Sequence, residues 1–252
     1  MVRGLRPAVL GLSFLLVAAC SAGRVGIGAP LDTLDLGEGL FAPAEEFDFR
    51  DREAAGPALL QILAEPTGTA RHLRAIREYL RFSAGEEAAS RLRDLAAILK
   101  EHERTRVEAA FAFGLLALGE DKATREQDIK EISALLAPFR GGRSGDPWAH
   151  MVAAVLYGSF AELQGNWYDE TLYAMSYGYD DAAIMLAAGS FLLTMDLSYG
   201  GDERLQWFIY LAFTRAKELA PDNAALRERV RSLVATNLGI AGYRPSRWLK
   251  RL

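Results

Sequence analysis

Apolar positions return every three or four residues through most of the chain from Pro57 onward. Leu73, Ile76 and Leu80 form one such stripe, and Leu92, Leu95, Ala96 and Leu99, led by Ala88, form a second. Ile129, Ile132 and Leu136 form another. This is the period of amphipathic helices, and no convincing alternation of the strand type competes with it. Start signals fall between the stripes. Ser83 with Glu86 and Thr124 with Gln127 fit capping boxes, and Asp146-Pro147 sets an N-cap before a first-turn proline. Asn166, Asp202 and Asp222 stand where further caps belong. About ten helices joined by short loops are predicted, a stack of antiparallel helical hairpins.

Three stretches break the pattern. VLGLSFLLVAA, residues 9–19, is uncharged and almost wholly apolar after Arg3 and Arg6. It is shorter than the roughly 20 residues a membrane span requires. A charged start, a short apolar run and small residues at its end have the layout of a secretory leader. Residues 21–55 are rich in glycine, proline and acids, which predicts a tether in at least their first half. Leu36, Leu40, Phe41, Phe47 and Phe49 leave open that residues 36–50 pack on the helices instead. AAIMLAAGSFLLTM, residues 182–195, is apolar all round but short and interrupted by Gly189 and Ser190, so it reads as a buried core helix.

Val17-Ala18-Ala19-Cys20 resembles a bacterial lipobox. That likeness implies a diacylglyceryl thioether on Cys20, cleavage before it, and acylation (palmitate or a similar chain) of the new amine. Cys20 is the single cysteine, so the mature chain would hold neither a free thiol nor a disulfide. Two or more acyl chains anchor a protein stably. The expected setting is the cell envelope, with Cys20 in the outer or inner membrane and the helices in the periplasm. Four regions follow: a leader over 1–19, lipidated Cys20 and tether over 20–55, helices over 56–240, and a basic C-terminal tail over 241–252.

Residues 208–226, FIYLAFTRAKELAPDNAAL, resemble the second helix of a tetratricopeptide repeat through Phe213, Ala216, Leu219 and Pro221. AELQGNWYDETLYA, residues 161–174, resembles the turn and helix start of another unit, with Gly165 at the turn. The likeness covers roughly residues 150–240. It implies an all-α fold, a TPR-like α-solenoid, whose function is to hold protein partners.

Net charge and motifs narrow the function. The full chain carries a formal charge of −4, which argues against nucleic-acid binding. His102-Glu103 opens an HExxH pattern that Arg106 ends, and GGRSGD at 141–146 lacks the spacing of a nucleophile elbow. His72, His102 and His150 are dispersed, so no metal or other cofactor is expected beyond the covalent lipid. The acid pairs Asp169-Glu170, Asp180-Asp181 and Asp202-Glu203 fit helix starts, where the dipole favours them. No catalytic residue is assigned, and an envelope-polymer hydrolase built on Asp169 and Glu170 is the minor alternative.

Aromatic residues concentrate in one region. Residues 148–213 hold 14 of the 25 in the chain. Trp167, Tyr168, Tyr173, Tyr177 and Trp207 are the candidates for an exposed partner or ligand surface, because tyrosine and tryptophan join apolar area to a polar tip. The predicted function is a lipid-anchored envelope scaffold or adaptor of a membrane assembly or transport complex. The alternative is a periplasmic accessory lipoprotein for solute transport that binds an apolar small molecule. Arg244, Arg247, Lys250 and Arg251 surround Trp248 in the tail, which reads as solvated, or else as a contact for anionic lipid or an acidic partner.

Overall fold

The structure, a computed structural model, describes residues 31, 34–41, 47, 49–65, 69–82, 86–119, 122–139, 142–199, 201–238 and 243–252. The leader over 1–19, the lipidation position Cys20 and the Ser83 cap lie outside these residues. Among the described residues there are ten α-helices and no strand. They are α1 (Arg52–Ala64), α2 (Thr69–Phe82), α3 (Glu86–Lys100), α4 (Arg106–Ala117), α5 (Lys122–Leu136), α6 (Pro147–Ser159), α7 (Trp167–Tyr177), α8 (Ala182–Tyr199), α9 (Glu203–Leu219) and α10 (Ala224–Leu238).

Caps fix most of the starts. Asp146 accepts from Trp148 N at 2.9 Å, Asn166 from Tyr168 N at 3.1 Å, and Asp202 from Arg204 N at 2.7 Å. Two boundaries differ from the sequence reading. Thr124 lies inside α5, not before it. Asn223, one residue after Asp222, caps α10 by accepting from Leu226 N at 2.8 Å. The first described helix also begins earlier than Pro57. Asp51 caps α1 at Glu53 N, 3.0 Å, and Pro57 sits within that helix.

Each hairpin packs its own two helices most closely, α3 on α4, α4 on α5, α6 on α7 and α8 on α9. The even helices also touch the next even helix along, from α2 through α4, α6 and α8 to α10. Their matching turns meet, so they run parallel. His72 and Glu108 join the first turns of α2 and α4, Gly114 meets Leu156 near the ends of α4 and α6, and Gly158 meets Phe191 and Met195 of α8. α4, α6 and α8 are therefore enclosed on every side. Residues 107–117 of α4, 148–157 of α6 and 184–193 of α8 are all buried. That burial accounts for their lack of a polar face, and α8 is the core helix that its apolar run predicts. No helix among the described residues is long and apolar enough to cross a membrane.

Glycine at 165 has a packing reason. A Cβ there would strike the Tyr157 ring. The left-handed residue at this turn is its neighbour Gln164, with φ 51°. Gly201, after α8, does take φ +93°.

The predicted tether ends sooner than its boundary at residue 55. Leu31, Leu34 and Leu36 are buried, and the segment that contains them lies along the even helices. Leu31 sits beside Gly114 of α4. Arg77 of α2 donates to Leu34 O at 2.9 Å, and Asp35 N donates to Ser190 Oγ of α8 at 3.3 Å. Arg229 of α10 reaches Asp35 Oδ2 at 2.7 Å, and Asn223 donates to Leu40 O. Gly37 lies against Ala183. The segment thus runs from the C-terminal turns of the even helices toward their N-terminal turns. Its leucines have apolar partners there, and burial is worth about 1.5–3 kcal/mol for each such side chain. Phe49 is also buried, edge-on to Tyr79 at 5.5 Å, which settles the open question about residues 36–50 in favour of packing at Leu36 and Phe49.

Candidate functional site

The five predicted aromatic positions separate into three groups. Trp167 and Tyr168 open α7 and are half-buried. Trp167 stands edge-on to Phe191 of α8, and Tyr168 edge-on to Phe208 of α9, both at 5.9 Å. They pin α7 to the α8–α9 hairpin and are part of the packing, not an open surface. Burial pushes the Tyr168 phenol up, helped by the nearby Asp202 carboxylate.

Tyr173 and Tyr177, one turn apart on α7, flank His150 of α6. The imidazole lies 5.4 Å from the Tyr173 ring and stacks on Tyr177 at 5.5 Å. His150 is buried and both ring nitrogens are engaged: Nδ1 with Glu170 Oε2 at 2.6 Å, and Nε2 with Ser144 O at 2.8 Å. A carbonyl only accepts, so Nε2 carries a proton. The proton between Nδ1 and Glu170 then makes the pair either imidazolium–carboxylate or its neutral equivalent. Burial pulls the His150 pKa down, but the hydrogen bonds to Glu170 and Ser144 and the charges of Glu170 and Asp146 outweigh it, and the net shift is upward. Tyr177 donates to Gly142 O at 3.0 Å, and Ser144 Oγ accepts from Asp146 N at 3.0 Å. The whole device fastens the 142–146 loop over the start of α6.

Glu170 does stand in the first turn of α7, where an acid was expected, and it is in addition buried and tied to His150. Asp169 accepts from Asn166 Nδ2 at 2.6 Å, and a shared catalytic geometry with Glu170 has no support. The other acid pairs do stand at helix starts. Asp181 accepts from Ala183 N at 2.8 Å, while Asp180 pairs with Arg215 at 2.6 Å. His72 repeats the His150 arrangement between α2 and α4, with Nδ1 2.8 Å from Glu108 Oε1 and Nε2 3.2 Å from Glu65 O. Among the described residues no group of three or more His, Cys, Asp or Glu could hold a metal.

The third group is centred on Trp207. Its ring meets the Trp248 ring at 4.5 Å and stacks on Tyr210 at 5.8 Å, while Tyr210 and Trp248 lie 5.7 Å apart. Arg247 lies 4.5 Å and Arg251 5.2 Å from the centre of the Trp248 ring. Leu249, 1% exposed, anchors the short 3-10 turn Leu249–Arg251 against α9. The expectation of a solvated C-terminal tail is therefore corrected for residues 243–252.

A buried polar lock holds this tail. Asp196 of α8 is fully buried. Its Oδ2 accepts from the Tyr243 hydroxyl and from Gln206 Nε2 at 2.9 Å, and its Oδ1 from Asp202 N at 2.7 Å. Gln206 in turn accepts from Ser246 N at 2.5 Å and donates to Arg244 O at 3.3 Å. Burial, then the hydrogen bond and charge of Asp196, push the Tyr243 phenol well up, so it remains a donor. Sequence reading missed this lock, since its members lie 47 and 40 residues apart. An open cleft of about 590 Å³ beside it is lined by Gly201, Glu203, Gln206, Arg244, Ser246 and Arg247.

Comparison with protein-family models, curated proteins and solved structures finds nothing that matches this chain.

Proposed function

We propose that this chain is a lipid-anchored envelope protein. Cys20 carries the lipid, and the helices act in the periplasm as a scaffold or adaptor for a membrane assembly or transport complex. In this reading the parallel even helices and their paired odd helices are a divergent TPR-like α-solenoid. The inner face of such an array usually receives partners, but here Leu31 and residues 34–41 lie along the even helices. Partner binding is therefore assigned elsewhere.

The observation that carries the reading is an exposed aromatic corner at the N-terminal end of α8. Tyr177 is 46%, Tyr179 53% and Phe41 39% exposed. Large exposed rings such as Tyr177 and Tyr179, close in the chain, suit a protein partner better than they suit water. Arg215 lies 4.2 Å from the centre of the Tyr179 ring, which adds a charged rim. Trp167 and Tyr173, more deeply packed, pass from binding candidates to supports.

The test is cross-linking in native membranes followed by a mild-detergent pull-down and mass spectrometry. A stoichiometric partner cross-linked near residues 177–181 is expected. Phe41→Ser with Tyr179→Ala should abolish that capture without lowering Tm; unchanged capture by this variant would contradict the assigned surface. The cleft beside Gln206 favours a second reading, a solute-binding accessory lipoprotein. With Arg244, Ser246 and Glu203 in its wall, its ligand would be a small polar solute and not the apolar one first expected. Native mass spectrometry that retains such a solute would support it.

A further inference from the structure

We infer that the Trp207–Tyr210–Trp248 platform, with Arg244, Arg247, Lys250 and Arg251, is a second membrane contact that seats this end of the fold on an anionic bilayer surface.

Its charge is the first argument. The chain is acidic overall, yet residues 243–252 hold four cations and no acid. All four are exposed. Glu203, across the cleft from Arg244 and Arg247, is the acidic side chain in that wall. The lock on Asp196 holds the cations in place, because Arg244 and Ser246 are fixed through their backbones by Gln206. The cationic side chains stay exposed, with the guanidinium groups of Arg247 and Arg251 over the Trp248 ring. Half-buried Trp and Tyr beside Arg and Lys is the chemistry of a headgroup layer, where amphipathic rings and cations settle together.

Position is the second argument. Tyr243 binds Asp196, near the C-terminal end of α8, and Trp207 lies just inside the start of α9 at the same end. Leu31 meets Gly114 and lies near Leu156, also toward the C-terminal turns of even helices. The chain before Leu31 therefore joins the fold at the end that carries the platform. Cys20 is eleven residues earlier, and eleven residues reach at most about 35–40 Å. A lipid on Cys20 and a platform on the bilayer are thus compatible with one orientation. The aromatic corner of Tyr177 and Tyr179 would then point away from the membrane.

This orientation rests on the lipid-anchor reading, but the platform's own affinity does not. The test is co-sedimentation of the mature chain, residues 20–252, carrying Cys20→Ser so that no lipid is attached. It should bind vesicles of phosphatidylcholine with phosphatidylglycerol and not vesicles of phosphatidylcholine alone. Arg247→Gln with Arg251→Gln should weaken that binding about thirtyfold, given the usual gain per basic residue at an anionic surface. Added salt should weaken the unsubstituted chain in the same direction. An unchanged Tm in the double variant keeps folding out of the comparison. Lys250→Gln, added to it, should weaken binding further. Equal binding by the double variant, or none to either vesicle, would overturn the inference. Cross-links from Lys250 to an acidic envelope protein, with no vesicle binding, would overturn it in favour of a protein contact. An unlipidated Cys20 in the native protein together with vesicle binding would sink the anchor and leave the platform standing.

Discussion

The two terminal segments are held by opposite chemistry. The segment around Leu31–Leu36 is fastened by leucines that enter the space along the even helices, with backbone hydrogen bonds from Arg77 and to Ser190 as supplements. The tail at 243–252 is fastened by a buried carboxylate, Asp196, with Leu249 as its apolar peg. The difference has a consequence for function. Apolar fastening consumes the residues that could have met a partner. Polar fastening works through Tyr243, Gln206 and backbone atoms, and it leaves the arginines and the lysine outside. One terminus fills a surface and the other builds one.

Replacing Asp196 by alanine should have the largest effect on that contrast. Tyr243 and Asp202 N would lose their acceptor inside the protein, Gln206 would keep only the longer bond to Arg244 O and that to the Tyr243 hydroxyl, and each stranded donor costs about 1–3 kcal/mol. A loss of about 3 kcal/mol or more is expected in urea unfolding, with the tail newly open to limited proteolysis. Protection of residues 243–252 in that variant would show that Leu249 and the rings hold the tail unaided.

Leu34→Ala comes next, at about 2–4 kcal/mol for a buried leucine that leaves a cavity. Proteolysis should then cut near residues 31–41 and spare the tail. If both segments loosen together in either variant, the two fastenings are not independent.

A smaller effect separates both segments from the middle of the fold. The His150 pKa is raised above its ordinary 6.5, so its contribution is full below that value and fades as pH rises through the folded one. Urea stability should decline as pH rises above 6.5 through the folded value, and His150→Gln should remove that part of the slope. A slope unchanged in His150→Gln would show that the Glu170 pair holds no titrating proton there. The smallest effect belongs to Arg229→Gln. Its side chain is 54% exposed although Asp35 is buried, so solvent screening limits the loss to about 1 kcal/mol or less. A loss as large as that of Leu34→Ala would make the ion pair, and not the leucines, the principal fastening.

Local signals in the sequence were legible where structure depends on near neighbours. Asp146, Asn166 and Asp202 cap the helices expected of them, and the apolar run of α8 is a core helix. Phe213 and Ala216 are buried and Pro221 follows the end of α9, as the repeat-like stretch implies. What failed was non-local. Glu170 is the helix-start acid expected, but nothing nearby in sequence announces its partner His150 twenty residues away. The glycine, proline and acids of residues 21–55 suggested a tether in at least their first half, yet the leucines at 31, 34, 36 and 40 suffice when a row of helices offers them a place. Tail cations looked solvated, and they are, but the backbone beneath them is fixed by a carboxylate 47 residues upstream of Tyr243. Aromatic clustering could not separate packed rings such as Trp167 from an exposed one such as Tyr177.

The central claim is that this fold is held at a membrane through Cys20, and the intact mass of the protein purified from its native envelope tests it most directly. The account predicts a chain that lacks residues 1–19 and carries a diacylglyceryl group, with or without a further acyl chain, on the residue Cys20. A chain that keeps its leader, or an N-terminal Cys20 with no added lipid, would contradict it.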